Sequence, residues 1–335
     1  MKISHISALA LLAANLAWAC SSAHAAEAME MLNVSYDSTR DLYSEINDTF
    51  LSAWADQGGG PLKIRQSHGG AVKQVNAVLS GIEADVVTLG SASDVDVLAK
   101  SGHLLSADWR TRLPHSAVPY TSAPVLLVRK GNPKEIRDWA DLARPAIVVV
   151  TADPRTSGGG RWNFLSLYAY GLAQNGNDQD KALEFVAKVY KNTPDRDFSV
   201  RSSGVTFQLR QKGDVLITWE NEALSAAHEN SNLYEVVAPS MTMRAEPAVA
   251  VVDVNTRKHG TEHAATAYLQ FLYTPAGQKI IAKHYFRAWN PEVAAKYADQ
   301  FPKFKLINVN DIGGWATLQK EFDGGGKFAA IYGSR

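Results

Sequence analysis

The chain has 335 residues, 46% of them hydrophobic and 20% charged, with 34 basic side chains against 34 acidic ones. That composition excludes bulk disorder and provides enough chain for two packed lobes. The charge balance excludes a polybasic field of the kind that holds nucleic acid or anionic lipid, so any bound anion must be held by local donors.

The first residues read as an export leader: Lys2 and His5, an apolar run from Ile6 to Ala19, then Ala23-His24-Ala25 as an A-x-A cleavage pattern. Cleavage is expected after Ala25, with residues 1–25 as signal peptide and a mature chain starting near Ala26. The rival is a lipoprotein signal at Cys20, where bulky Trp18 is out of place. Cys20 is the sole cysteine, so its loss with the leader removes disulfides, thiolate metal sites and thiol catalysis together. No later segment approaches the roughly 20 apolar residues that a membrane-crossing helix needs, so no membrane insertion is expected. No coiled-coil pattern appears, and a monomer is expected.

Beyond the leader, strand-like apolar runs alternate with helical periods, which is the pattern of α/β layers. Strands are predicted at Met31–Ser35, Leu62–Gln66, Ala84–Leu89, Pro124–Arg129, Ala146–Thr151, Asp214–Trp219, Leu233–Val237 and Ala248–Val252. Between them, 40–55 places Leu42, Ile46, Phe50 and Trp54 on one helical stripe, and the helix after Gly160 does the same with Trp162, Leu165, Tyr168 and Ala169. Shorter helices are predicted over 72–79, 95–100, 182–190, 204–211 and 262–273. Two Pro-containing polar stretches, Pro114 to Pro124 and Pro239 to Pro247, read as crossings between lobes. They divide the chain into one lobe from 26–116 with 247–300 and another from 117–246, with 301–335 packing on the lobes.

Three strand ends lead into glycine or hydroxyl clusters just before a helix. These are Gln66-Ser67-His68-Gly69-Gly70-Ala71, Thr156-Ser157-Gly158-Gly159-Gly160-Arg161-Trp162-Asn163 and Val200-Arg201-Ser202-Ser203. In open α/β sheets, ligands sit beyond the carboxyl ends of strands, where helix N-termini aim unpaired N–H groups outward. Consecutive glycines let such amides converge without side chains in the way. Taken singly, each feature has an ordinary reading: turn chemistry for a glycine-serine loop, a packed histidine for His68, core for Trp219, a helix cap for Asp37.

Taken together, the segments point further. Asn33-Val34-Ser35-Tyr36-Asp37-Ser38-Thr39-Arg40, Arg65-Gln66-Ser67-His68-Gly69-Gly70, Gly81-Ile82-Glu83-Ala84-Asp85-Val86-Val87-Thr88-Leu89, Val128-Arg129-Lys130-Gly131-Asn132-Pro133 and Gly213-Asp214-Val215-Leu216-Ile217-Thr218-Trp219-Glu220-Asn221-Glu222-Ala223 stand in this order. From about residue 31 onward the chain closely resembles the periplasmic sulfate-binding proteins that feed sulfate/thiosulfate ABC importers. The resemblance implies an α/β, two-lobed periplasmic binding protein fold, type II-like, with two crossing strands and the ligand in the interlobe cleft. It implies a periplasmic protein that is not an enzyme, needs no cofactor or metal, and has sulfate or thiosulfate and a membrane permease as partners. Its anion is held by neutral donors: the Ser157 hydroxyl and amide, the amides of Gly158, Gly159, Ala71 and Val200, and the Trp219 indole. Asp37, Asp94, Arg201 and His68 fall around that site. Ala71-Val72 replaces the family's common Ser-Gly and Val200 a small residue; both changes spare the amides.

Two other readings compete. An ester hydrolase using His68 and Ser157 lacks the Gly-x-x-x-x-Gly-Lys-Ser/Thr, His-Glu-x-x-His and Gly-x-Ser-x-Gly patterns. A binding protein for molybdate, phosphate or ferric iron shares the architecture, but iron sites use paired tyrosines, and Tyr285 is followed by Phe286.

Overall fold

The computed structural model describes residues 28–333; the expected leader, its cleavage site and Cys20 lie outside them. In chain order, β1 (Met29–Tyr36) leads into α1 (Arg40–Asp56), β2 (Leu62–Gly69), α2 (Ala71–Leu79), β3 (Val86–Leu89) and α3 (Ala92–Lys100). Short β4 (Tyr120–Thr121) precedes β5 (Pro124–Arg129), β6 (Val149–Ala152), α4 (Gly158–Gln174), α5 (Gln179–Lys191), β7 (Arg196–Asp197) and α6 (Val200–Gln208). Then come β8 (Val215–Trp219), α7 (Glu220–Glu229), β9 (Tyr234–Val237), β10 (Met241–Met243), β11 (Ala248–Val251), α8 (Asp253–His259), α9 (Glu262–Phe271), α10 (Pro275–Lys283), β12 (Arg287–Ala288), β13 (Lys305–Ile307), α11 (Trp315–Phe322) and α12 (Lys327–Gly333).

The strands form two main sheets, one per lobe. The first has the order β11-β3-β1-β2, with β1 parallel to both neighbours and β11 antiparallel to β3. The second has the order β7-β6-β8-β5-β9, parallel across β7, β6 and β8 and antiparallel across β5 and β9. Strands β3 and β8 are buried at every residue, which follows from helices covering both faces of each sheet. Core clusters confirm this: Met31, Val86 and Val249 pack with α1, α9 and α10 on one face of the first sheet, and Val34, Val87 and Ala250 pack with α2 and α3 on the other. Among the described residues, no helix is long and apolar enough to cross a membrane.

The chain passes between the lobes at two points that touch. Ser122 and Ala245 exchange backbone hydrogen bonds of 3.0 and 2.8 Å as an antiparallel bridge. Strand β10 occupies part of the second of the two polar stretches.

The eight predicted strands all form. Helices α2, α3 and α5 begin one to three residues earlier than predicted, and α4 and α6 do so as well, at Gly158 and at Val200 rather than Gly204. In α4 and α6 a serine supplies the cap. Ser157 Oγ accepts from the Gly160 amide, and Ser199 and Ser202 cap each other reciprocally at the start of α6. Helix α4 also lacks the single apolar stripe expected of it. It is buried on every side from Gly158 to Leu172 apart from Arg161, because α11 and α12 cover the face opposite the sheet. Phe322, Phe328 and Tyr332 all meet Phe164 there, and Trp315 stands edge-on to Trp162 at 5.0 Å.

Candidate functional site

Three helix N-termini, from two lobes, meet in the cleft. Ala71 begins α2, Gly158 and Gly159 begin α4, and Val200 begins α6. The first amides of a helix have no acceptor within it, and the helix dipole makes that end a seat for negative charge. Their closeness is measured by the space at the glycines. A Cβ on Gly158 would lie 3.1 Å from the Ala71 methyl, and one on Gly159 would lie 2.3 Å from Val200 Cγ2. Gly70, just before α2, approaches the carbonyls of Thr156 and Phe198 so closely that a Cβ there would be 2.8 Å from the first. Gly70 and Gly158 let the two lobes come this close, and Gly159 leaves room for Trp219 and Val200 of its own lobe.

Two side chains join these amides. Ser157 is 3% exposed, and its Oγ accepts from the Gly160 amide at 3.1 Å. With its acceptor role occupied by that amide, the hydroxyl proton is free to be donated. Trp219, at the end of β8, is fully buried, and its indole Nε1 has no acceptor in the protein. It lies 2.2 Å from the Cβ position of Gly159, on the same side as Val200 Cγ2. A buried donor left unpaired costs about 1–3 kcal/mol, so an indole aimed into a cluster of amides is a donor awaiting an acceptor. Tyr36, at the end of β1, stacks on Trp219 with ring centroids 5.4 Å apart and 29° between planes, fixing the indole from the other lobe.

Ionisable side chains surround this cluster. Asp94, 2% exposed, accepts from Ser91 Oγ at 2.8 Å and faces the guanidinium of Arg161 at 3.6 Å. Burial raises its carboxyl above the usual range, while Arg161 and Ser91 pull it back. The cation that faces Asp94 is Arg161, in the first turn of α4, which also bonds Gln319 Oε1 at 3.3 Å. Asp37 does not cap its own helix. Burial raises its carboxyl, and Ser199 and Arg201 across the cleft lower it. Glu222 is lifted to about 7 by burial, reinforced by Asp37. Trp162 closes the lobes further by giving its indole N–H to the Gly90 carbonyl at 2.8 Å. Tyr36, Arg161, Trp162 and Glu222 were not among the residues singled out from sequence; their roles depend on which lobes they bridge.

His68 ends β2 beside Ser35, and its Nδ1 is buried without a partner. Burial, with Arg40 nearby, lowers its pKa from 6.5 to about 4. The imidazole is neutral at neutral pH and offers the site no charge. The folded state takes its proton near pH 4 and the unfolded chain near 6.5, so the unfolded state binds more protons between these values. The contribution is complete above about pH 6.5 and falls as the pH drops towards 4. In urea unfolding at pH 7 and pH 5, the parent is expected to lose about 1–2 kcal/mol more than His68→Gln over that interval. Equal losses in the two proteins would show that His68 is not held neutral.

No group of three or more histidine, cysteine, aspartate or glutamate side chains among the described residues could hold a metal ion. Between the two lobes the starts of α2, α4 and α6 thus stand together with Ser157, Trp219 and Asp94. Residues 32–287 match the family described as bacterial extracellular solute-binding protein. The chain belongs to that family. It is 50% identical over 309 residues to the sulfate-binding protein of Escherichia coli, covering 91% of this chain and 94% of that one. It is 47% identical over 325 residues to the thiosulfate-binding protein of Pseudomonas aeruginosa, covering 96% and 97%. Among solved structures, the sulfate-binding protein SubI of Mycobacterium tuberculosis superposes with a TM-score of 0.80 at 32% identity, covering 88% of this chain and all of that one. The fold is also that of a periplasmic binding protein from Actinobacillus pleuropneumoniae, which matches at a TM-score of 0.70 with 17% identity.

Proposed function

We propose that this solute-binding protein captures sulfate, and thiosulfate as well, in the periplasm and delivers it to the membrane permease of an ABC importer. The observation that carries this reading is the meeting of three helix N-termini with the Ser157 hydroxyl and the unpaired Trp219 indole in one interlobe cleft. The sulfate- and thiosulfate-binding relatives, each matched over most of their length, support it. In this reading the donors are the amides of Ala71, Gly158, Gly159 and Val200, the Ser157 hydroxyl and the Trp219 N–H, six in all; the Ser157 amide, expected from the sequence to join them, donates instead to the Asp153 carbonyl at 3.0 Å. Asp37, Asp94, Arg201 and His68 stand behind them. The lobes are residues 26–116 with 247–300 and residues 117–246, hinged at Ser122 and Ala245, with the C-terminal segment from 301 onward packing on them.

A dianion taken from water must be compensated by donors on all sides. Hydrogen bonds to charged groups contribute about 1.5–3 kcal/mol each, and six of them leave the roughly 8 kcal/mol that micromolar affinity requires after binding entropy is met. No counter-ion is needed. The same geometry supports a non-enzymatic role: Ser157 Oγ bonds an amide and has no basic partner among the described residues, so nothing activates it as a nucleophile.

Calorimetric titration of the ligand-stripped protein with sulfate tests this directly. Ser157→Ala and Trp219→Phe should each weaken binding by about 1–3 kcal/mol, because each removes one donor to a buried charge. Parent-like sulfate binding in both variants would put the site elsewhere.

A further inference from the structure

We propose that Trp162 latches the lobes over the bound anion: its indole N–H, given to the Gly90 carbonyl, slows release of the ligand without itself donating to it. The inference rests on the anion-binding reading above and concerns what keeps the cleft shut. Of the six donors of that reading, five stand on the lobe of the second sheet: Ser157, Gly158 and Gly159 at the start of α4, Val200 at the start of α6 and Trp219 at the end of β8. Ala71 alone comes from the lobe of the first sheet. An anion can thus meet most of its needs on one lobe, and its own bonds do little to draw the other across. Closure has to be held by contacts between the lobes themselves.

Trp162 provides such a contact beside the donors. It lies in the first turn of α4, three residues after Gly159, so latch and donors move as one rigid piece. Its indole is fully buried and gives its N–H to the carbonyl of Gly90, directly after β3, at 2.8 Å. Gly90 is buried as well. A Cβ on it would lie 3.7 Å from Gly158 Cα and 3.8 Å from the Ala71 methyl, so the bond spans the seam between the first-lobe donor and those of α4. Trp315 of α11 stands edge-on to the ring at 5.0 Å and fixes its orientation. Other contacts across the seam are looser: Arg161 faces Asp94 at 3.6 Å, and Tyr36 stacks on Trp219 without a directed bond. When the lobes part, indole and carbonyl exchange each other for water. When they close without the N–H, the carbonyl is buried with its partner missing. The latch therefore weighs on the closed state alone, and its loss shows in dissociation rather than in association.

The test follows release of radiolabelled sulfate into excess unlabelled sulfate near pH 7, with association rates and ligand-free thermal unfolding measured alongside. It compares the exported parent with Trp162→Phe and with a protein carrying benzothienylalanine in place of Trp162, which keeps the bicyclic ring and lacks only the N–H. The second variant separates the latch from packing should the smaller phenyl ring disturb the fold. Release should quicken about tenfold in the benzothienylalanine protein, with association within about twofold of the parent and the ligand-free melting temperature unchanged. Parent-like release in that protein, or a loss of affinity that falls on association instead, overturns the inference while leaving anion capture intact. A parent that binds no sulfate overturns the reading on which it rests.

Discussion

Gly159→Ala is expected to abolish measurable sulfate binding, weakening it by at least about a thousandfold, or roughly 4 kcal/mol. The added methyl would stand 2.2 Å from Trp219 Nε1 and 2.3 Å from Val200 Cγ2, closer than any real contact allows. Neither neighbour can easily give way. The indole is fully buried and stacked against Tyr36, and Val200 opens a capped helix. The methyl would thus occupy the space beside the indole Nε1 and force Trp219 or Val200, both in the lobe that carries Gly159, out of place. Backbone strain is not the cause, since Gly159 lies in the ordinary helical region and alanine is the better helix former. Calorimetry gives the affinity, and thermal unfolding without ligand shows whether the fold survives. Gly204→Ala serves as the comparison: there a Cβ meets only Gln208 Nε2 at 3.4 Å, and binding should be retained. Near-parent affinity in Gly159→Ala would mean that the α4 N-terminus does not face the ligand.

Phosphate should bind at least about a hundredfold more weakly than sulfate at pH 7, on the order of 3 kcal/mol. The difference follows from protonation rather than size. Sulfate is fully ionised, whereas phosphate carries at least one proton that needs an acceptor. The amides, the hydroxyl and the indole all donate, and a buried O–H facing them costs about 1–3 kcal/mol or more. The carboxylate that lies nearest the α4 N-terminus is Asp94, whose Oδ2 is 3.3 Å from the Cβ position of Gly158. It is already engaged by Ser91 Oγ and by Arg161. Competition titrations of the two anions settle the matter. Equal affinities would mean that Asp94 turns from these partners to accept the phosphate proton.

What the sequence revealed depended on how local the cause was. The α4 turn was legible because three glycines after a serine have few other uses, and the strands were legible because β-branched runs such as Val86-Val87 announce buried sheet. The onset of α6 was misplaced because its cap pairs Ser199 with Ser202, whereas the familiar signal carries glutamate or glutamine at that third position. Trp219 reads as core from its run alone, and it is core except for one nitrogen. The partners of Asp94 were missed because Arg161 reaches it only when the lobes meet, which no local pattern encodes. The last seventy residues gave the weakest signal, since their helices are short and their apolar faces are defined by partners far away in sequence, the first sheet for α10 and Phe164 with its neighbours in α4 for α11 and α12.

That last feature bears on how the molecule is assembled. The face of α4 away from its sheet is completed by Phe322, Phe328 and Tyr332, and β10 pairs with β13, so the second lobe draws on the far end of the chain. The first sheet likewise waits for β11 to join β3. Neither half can reach its final packing while the polypeptide is still being made, because the closing pieces of both are synthesised late. Contacts of such sequence separation slow folding, since chain entropy is lost before the contacts reward it. The topology thus leaves a newly made chain unfolded for longer than a chain of two consecutive domains would be, a state that can be threaded through a narrow channel before it collapses.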